Sequence, residues 1–175
     1  MAQVQQFLRI FVDIVLWRRG PQDLPASTLL LGVAVAAYLA VSAVQLLLLG
    51  EPAATWFLFV VVDPLLLGAW VWLVLRLFGK PERFLQTASA VFGAGAVLGL
   101  ALYLPLQLIV SALGQEPTSA LAQTFALLLV VTFTLVTGRI VKLATDSSLF
   151  TGIAVSLTYF LLINFLVGVA RGAGG

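Results

Sequence analysis

Five long apolar stretches dominate this chain, and each is long enough to cross a lipid bilayer as a helix. A membrane-crossing helix needs about 20 mostly apolar residues, because each residue adds about 1.5 Å along the axis. The predicted spans cover about 26–49, 56–78, 84–113, 118–138 and 149–170. We therefore predict an all-α polytopic membrane protein with five transmembrane helices.

Composition agrees with this class and argues against several others. Hydrophobic residues make up 62% of the 175 positions and charged residues 9%, whereas soluble domains carry about 25% charged residues. Cysteine and histidine are absent, which removes thiolate chemistry, the commonest metal ligand and the usual general base. We expect no enzyme activity, no metal site and no cofactor. The net charge of +2 also gives no reason to expect nucleic-acid binding.

The N-terminal segment, residues 1–20, is amphipathic rather than continuously apolar. Helical spacing places Phe11 and Ile14 on one face and Arg9 and Asp13 on the opposite face. We predict an amphipathic interfacial helix that lies on the membrane. The alternative is an ordinary amphipathic helix packed against the rest of the protein.

Lysine and arginine predict how the spans are oriented. Eight of the nine cations precede the first span or lie after the second and fourth spans, and the connections GEPAAT and GQEPTS contain none. Cytoplasmic loops carry the excess of Lys and Arg in membrane proteins. We therefore predict a cytoplasmic N-terminus and an external C-terminus.

The second span contains an acid followed by a proline, in the stretch FVVVDPLLLG. Counting from Trp56, Asp63 lies about 10 Å deep, and a charge at the helix centre costs about 2.5–3.5 kcal/mol on insertion scales. In a structural interpretation, Pro64 kinks the helix and Asp63 caps the half-helix that restarts there. In a functional interpretation, Asp63 lines a cavity open to the outside and binds a cation, a proton or a polar ligand.

The other four spans carry amides at a comparable depth, namely Gln45, Gln107, Gln123 and Asn164. The structural interpretation makes these amides links between helices, and the functional interpretation makes them further ligands beside Asp63. Pro105 is expected to tilt or kink the third span. Small residues spaced for close helix packing are Gly32, Ala36, Gly95, Gly99 and Gly152, and we expect helix contacts at these positions.

Basic residues on the predicted cytoplasmic side form a second candidate site. They are Arg18, Arg19, Arg76, Lys80, Arg83, Arg139 and Lys142. Such a set could contact anionic lipid headgroups or a phosphorylated ligand. The alternative is that these cations serve membrane topology alone.

Two stretches carry a family resemblance. They are LFGKPERFLQTASAVFGAGAVLGLALYLPLQLI, residues 77–109, and TLVTGRIVKLATDSSLFTGIAVSLTYFLL, residues 134–162. Together with the five-span layout they resemble the Yip family (Ypt/Rab-interacting proteins) in its short bacterial form. The resemblance implies a non-enzymatic protein of the bacterial inner (plasma) membrane. Eukaryotic members bind Rab GTPases through a longer cytosolic region, so that role does not carry over to the shorter N-terminal segment of this chain.

The sequence leaves two functions from different classes open. The favoured one is a scaffold or adaptor that binds membrane lipids, another membrane protein or a second copy of itself. The alternative is a transport or channel component with an outward-facing polar site around Asp63.

Overall fold

The computed structural model describes residues 2–49, 56–114 and 119–172. Within these ranges the chain forms helices joined by short connections, without a β-strand. The helices are α1 (Ala2–Val15), α2 (Thr28–Leu49), α3 (Asp63–Leu77), α4 (Phe84–Leu98), α5 (Leu104–Ala112), α6 (Ala120–Thr145) and α7 (Leu149–Gly172). Two π-helical segments, Leu58–Val62 and Gly99–Tyr103, lead into α3 and α5, and single 3-10 turns lie at Pro21–Asp23 and Pro81–Arg83.

Five helical segments of the described chain are long and apolar enough to cross a membrane. This finding confirms the predicted all-α fold with five spans. The first span is α2, the second joins Leu58–Val62 to α3, and the third joins α4 to α5 through Gly99–Tyr103. The fourth and fifth spans are α6 and α7.

The fourth span is longer than predicted, because it continues past residue 138 to Thr145. Arg139 and Lys142 therefore lie on its last two turns. Cations are favoured near a helix C-terminus, and their long side chains can reach out to the headgroup region. The helix ends at Asp146, which adopts a left-handed conformation with φ 56°.

The N-terminal helix α1 packs against the third span. Its apolar residues Ile10, Phe11 and Ile14 are buried. The ring of Phe11 lies directly over Gly93, where a Cβ atom would overlap it. The described side chains of α1 thus fit the second sequence-based alternative, a helix packed on the protein. Its placement at the lipid interface remains a prediction.

Two of the predicted small residues bring the first and third spans together. A Cβ atom at Gly95 would lie 2.9 Å from Cε2 of Tyr38, and one at Gly99 would lie 2.8 Å from Cγ1 of Val41. Both distances are shorter than side chains tolerate, so the close approach of these spans depends on glycine.

Of the other predicted packing positions, one makes a close helix contact and two do not. Gly152 of the fifth span lies against Gly138 of the fourth, and a Cβ atom at Gly152 would be 3.0 Å from the backbone nitrogen of Lys142. Gly32 has no atom of the described chain within 4 Å of a built Cβ, and Ala36 is exposed. These two residues are not close-packing positions within the described chain, because the first span buries a different face, and a contact with a partner helix there stays a prediction.

Ion pairs join the connections at one end of the bundle, which we call the basic end. It carries residues 16–27, 78–83 and 146–148. Arg83 donates to the carbonyl oxygen of Ala144 at 3.0 Å, and its Nη2 lies 3.0 Å from Oδ2 of Asp146. Lys80 Nζ lies 2.9 Å from the same oxygen. These contacts hold the start of the third span against the end of the fourth and satisfy a terminal helix carbonyl.

The Asp146 contacts predict a pH dependence of stability. Hydrogen bonds from Arg83 and Lys80 lower the pKa of Asp146 from 3.8 to about 2. A depressed carboxyl pKa adds stability at pH values above the unfolded pKa, and this stability is lost as the pH falls through the folded pKa. We expect the melting temperature of the detergent-solubilised protein to fall between about pH 5 and about pH 2.

The variant Asp146→Asn should lower the melting temperature near neutral pH and flatten the decline in the acid range, as measured by thermal unfolding across that range. The matched control is Glu82→Gln, which removes a nearby carboxylate that makes no ion pair within 4 Å among the described residues. Equal acid sensitivity in wild type and Asp146→Asn would contradict the assignment.

Candidate functional site

Asp63 is buried in the second span and accepts hydrogen bonds from tyrosines of two other spans. The hydroxyl of Tyr38 donates to Oδ2 at 2.6 Å, and the hydroxyl of Tyr159 donates to Oδ1 at 2.5 Å. The residue is 3% exposed. One carboxyl group therefore links the first, second and fifth spans within the membrane.

The predicted helix cap at Asp63 is not formed. Asp63 has helical dihedral angles, φ −58° and ψ −51°, and the start of α3 has no side-chain capping hydrogen bond. The reason is that the helix is not interrupted here. The backbone N–H of Asp63 donates to the carbonyl of Leu58 across the π-helical segment. No helix terminus needs the carboxyl group, which turns to the two tyrosines instead.

Both intramembrane prolines come just after a five-residue π-helical segment. Pro64 follows Leu58–Val62 and Pro105 follows Gly99–Tyr103. A proline has no N–H, and its ring crowds the carbonyl four residues earlier. A wider π-helical turn relieves this crowding, so the predicted disturbance takes the form of a widened turn. Such turns often mark functional sites.

A cavity of about 340 Å³ lies beside Asp63, and all five spans contribute to its wall. Ligand pockets in proteins typically measure about 300–1,000 Å³. The wall includes residues of both π-helical segments, among them Phe59 and Tyr103. Along the first span the cavity extends from Tyr38, near the middle of α2, to Gln45, a distance of about 10 Å toward the end opposite the basic end.

Other side chains hold the wall of the cavity in place. The ring of Tyr159 packs on Trp70 with a centroid separation of 5.5 Å, and the indole N–H of Trp70 donates to the hydroxyl of Thr158 at 3.1 Å. The ring of Tyr38 meets Phe92 edge to face at 5.4 Å. Each phenol that binds Asp63 is therefore positioned by a second aromatic side chain.

Gln45 is the predicted amide that lines the cavity. Its Nε2 donates to the carbonyl oxygen of Gly99 at 3.1 Å. That carbonyl also accepts the backbone N–H of Leu104 across the π-helical segment. The contact joins the first and third spans at the level where the missing Cβ of Gly99 leaves room for the amide.

The other predicted amides, Gln107, Gln123 and Asn164, do not line the cavity. Asn164 is exposed and donates to the carbonyl of Phe160 on its own helix at 2.8 Å. Gln123 is exposed and Gln107 is half-buried. The expectation that one amide from each of the other spans converges on Asp63 is wrong, because equal depth does not place side chains on the same face.

Sequence reasoning missed Tyr159 as a partner of Asp63. A phenol buried among apolar helices needs a hydrogen-bond acceptor, and Tyr159 stands between Thr158 and Phe160 in the middle of the fifth span. Its position in the middle of a span was the sequence signal that its hydroxyl needs a buried acceptor. It does not identify Asp63 as the acceptor, since the two residues are 96 positions apart.

The basic residues that were predicted to contact lipid headgroups are mostly engaged within the protein. Lys80 and Arg83 bind Asp146, as described above. The further contacts are Arg18 and Arg19 with Asp13, Arg76 with the ring of Trp72, and Arg139 with the ring of Trp17. These residues thus make several separate contacts, most of them at the basic end. Lipid contact of these residues stays a prediction.

None of the ion pairs among the described residues involves Asp63. Comparison of the chain with protein-family models, with curated proteins and with solved structures finds no match. Asp63 and its cavity are therefore the features of the molecule that indicate a function.

Proposed function

We propose that this chain, an integral membrane protein with five helical spans, is a transport component that binds a small ligand or cation in the cavity beside Asp63. One observation carries the proposal. Asp63 is 3% exposed within a membrane span, and it lies on the wall of a cavity of about 340 Å³. This arrangement favours the second of the two functions that the sequence left open.

The carboxyl group of Asp63 supports the proposal. Acids within membrane spans almost always face the bundle interior or a water-filled cavity, and they mark ion pathways and proton relays. The phenols of Tyr38 and Tyr159 supply hydrogen bonds but no positive charge. A proton or a cationic group that enters the cavity would supply the missing charge, and a site that exchanges such a group is what a transport component requires.

The rigidity of the surroundings supports a preformed site. Trp70 and Phe92 fix the two tyrosine rings, and Gly95 and Gly99 set the distance between the first and third spans. Binding to a preformed cavity avoids the cost of ordering side chains when the ligand enters. If the predicted orientation holds, the cavity lies toward the external half of the membrane.

The test compares Asp63→Asn and Asp63→Leu with wild type. Asn keeps one acceptor oxygen for one tyrosine and offers an amide N–H to the hydroxyl oxygen of the other, so we expect it to fold within about 1 kcal/mol of wild type. Leu removes the carboxyl acceptor of both hydroxyls and leaves Tyr159 only the backbone carbonyl of residue 63, 3.2 Å away, so we expect a loss of about 1–3 kcal/mol for the hydroxyl that is left unpaired. Thermal unfolding of the purified proteins is then measured with a panel of amines, amino acids, sugars and alcohols.

We expect at least one class of solute to raise the melting temperature of wild type and to leave Asp63→Asn unchanged. The matched control is Asn164→Leu, which removes a polar group at a comparable depth outside the cavity, and which should respond as wild type does. A wild type that responds to no solute, or an Asp63→Asn variant that responds equally, would count against the proposal.

The second candidate function is the scaffold or adaptor, in keeping with the resemblance to the Yip family. The observation in its favour is the exposed small-residue face of the first span, where Gly32 meets nothing within 4 Å among the described residues. Small residues allow another helix to approach closely in lipid. If wild type responds to no solute and crosslinking in membranes yields a reproducible protein neighbour, the scaffold becomes the better account.

A further inference from the structure

Resting on the proposed function, we propose that the ligand of the cavity is a lipophilic organic cation, an amine or quaternary ammonium group carried on a hydrocarbon body. The observation that suggests this class is the combination of one carboxyl group with many aromatic rings in the same wall. The carboxyl group argues against anionic ligands, and the aromatic rings favour organic cations over other cations.

The charge of the wall selects cations. Asp63 is the acidic residue among the described residues that line the cavity, and no Lys or Arg stands beside it there. A carboxylate or phosphate ligand would bury its negative charge beside the carboxyl oxygens of Asp63 without a basic partner, which is costly in a medium of low dielectric constant. A positively charged group meets the carboxyl group at the place where the spans themselves offer no countercharge.

The aromatic side chains extend the preference from cations in general to organic cations. Six aromatic rings line the cavity, those of Tyr38, Phe59, Tyr103, Phe133, Tyr159 and Phe160. The faces of such rings attract ammonium groups, most strongly where water is excluded. Phe59 precedes Asp63 by about one turn of the second span, so the carboxyl group and an aromatic ring are presented to the same region.

The size and chemistry of the remaining wall argue against a bare metal ion. The described residues contain no group of three or more His, Cys, Asp or Glu side chains that could hold one. Hard cations such as calcium require about six to eight oxygen ligands. The cavity instead offers Leu46, Leu98, Leu102 and Ile163 around its polar groups, and its volume of about 340 Å³ suits an amine with a hydrocarbon body.

The experiment uses a pair of probes matched in shape and different in charge. The first is 4-phenylbutylamine, which is protonated at neutral pH, and the second is the neutral 4-phenylbutanol. Binding of each probe to the purified full chain in detergent is measured by isothermal titration calorimetry, with protein-free micelles as the blank. The variants are Asp63→Asn and Phe59→Leu, and the control is Asn164→Leu.

We expect wild type to bind the amine more tightly than the alcohol. Asp63→Asn should weaken the amine by at least about tenfold, since it removes a buried charge partner, and should leave the alcohol unchanged. Phe59→Leu should weaken the amine by about threefold to tenfold, in line with the loss of one cation–π contact. Asn164→Leu should bind both probes as wild type does.

The possible failures separate the two proposals. If amine and alcohol bind wild type equally, or if Asp63→Asn weakens both alike, the cation preference is overturned while a ligand-binding cavity stands. If neither probe binds wild type but other solutes raise its melting temperature through Asp63, the ligand class is again wrong and the proposed function survives. Should Asp63→Asn fail to accumulate as folded protein, Phe59→Leu carries the same comparison between the two probes.

Discussion

Gly152→Ala is expected to weaken the contact between the fourth and fifth spans and to destabilise the protein strongly. A Cβ atom at Gly152 would meet the carbonyl oxygen of Gly138 and would lie 3.0 Å from the backbone nitrogen of Lys142. Both neighbours are backbone atoms of the fourth span, which cannot turn aside as a flexible side chain can. The fourth and fifth spans must therefore separate along their length.

Two opposing effects act on the free energy of unfolding in this variant. Replacing Gly by Ala within a helix contributes about 0.5–1 kcal/mol of stability through helix propensity. Overpacking a close contact costs about 1–3 kcal/mol and occasionally more. Because the obstacle is backbone, we expect overpacking to prevail and the variant to lose about 2 kcal/mol or more.

The measurement is unfolding of the purified protein in mixed micelles as the fraction of denaturing detergent rises. The matched control is Gly168→Ala on the same helix, where a Cβ atom meets nothing within 4 Å. The control should be neutral or slightly more stable than wild type. If Gly152→Ala unfolds at the same detergent fraction as Gly168→Ala, the close contact between the fourth and fifth spans is not as described.

Gly93→Ala is expected to displace the N-terminal helix α1 from the bundle. A Cβ atom at Gly93 would overlap the ring of Phe11, which is buried between α1 and the third span. The ring is closely surrounded, since Phe11 is 5% exposed and Ile14 on the same face is 2% exposed. Losing the contact of a buried Phe costs about 3–5 kcal/mol when the side chain is truncated, so undocking of α1 becomes competitive.

A cysteine reporter measures this undocking directly, because the natural chain contains no cysteine. Ile14→Cys should react slowly with a water-soluble maleimide in the wild-type background and faster when Gly93→Ala is present. Val12 is 41% exposed, so Val12→Cys should react at the same rate in both backgrounds. Adding Phe11→Ala to Gly93→Ala removes the obstacle, so the two stability losses should not add.

Equal reactivity of Ile14→Cys in both backgrounds would show that α1 does not depend on the Gly93 contact. A strictly additive double variant would lead to the same conclusion. Both outcomes would leave the five spans and the cavity unaffected, since Gly93 does not line the cavity wall.

The spans could be predicted from the sequence because hydrophobicity and length are properties of each segment alone. The third span shows this well, since the predicted 84–113 compares with Phe84–Ala112 in the structure. The end of the fourth span was harder to predict from the sequence. Arg139 and Lys142 suggested a loop, yet their side chains can extend from the last turns of a helix, so charge did not mark the boundary.

The candidate site was only half visible in the sequence. Asp63 and Pro64 were conspicuous because an acid is rare and costly within a membrane span and a proline disturbs a helix. The partners of Asp63 were not, since tyrosines occur in many spans and depth along a helix does not state which face a residue occupies. Gln45 shares the cavity and Asn164 does not, although both are amides in the half of the membrane farthest from the basic end.

The sequence by itself determined that the chain is a five-span membrane protein with a buried acid in its second span, because these features depend on local hydrophobicity and on the cost of burying charge. Tertiary structure alone decided that Tyr38 and Tyr159 bind Asp63, that Gly138 meets Gly152, and that a cavity forms between two π-helical segments. Those outcomes depend on the rotation and spacing of helices about one another. Packing of all five spans sets that geometry, and the apolar pattern of a single lipid-facing helix carries little information about it.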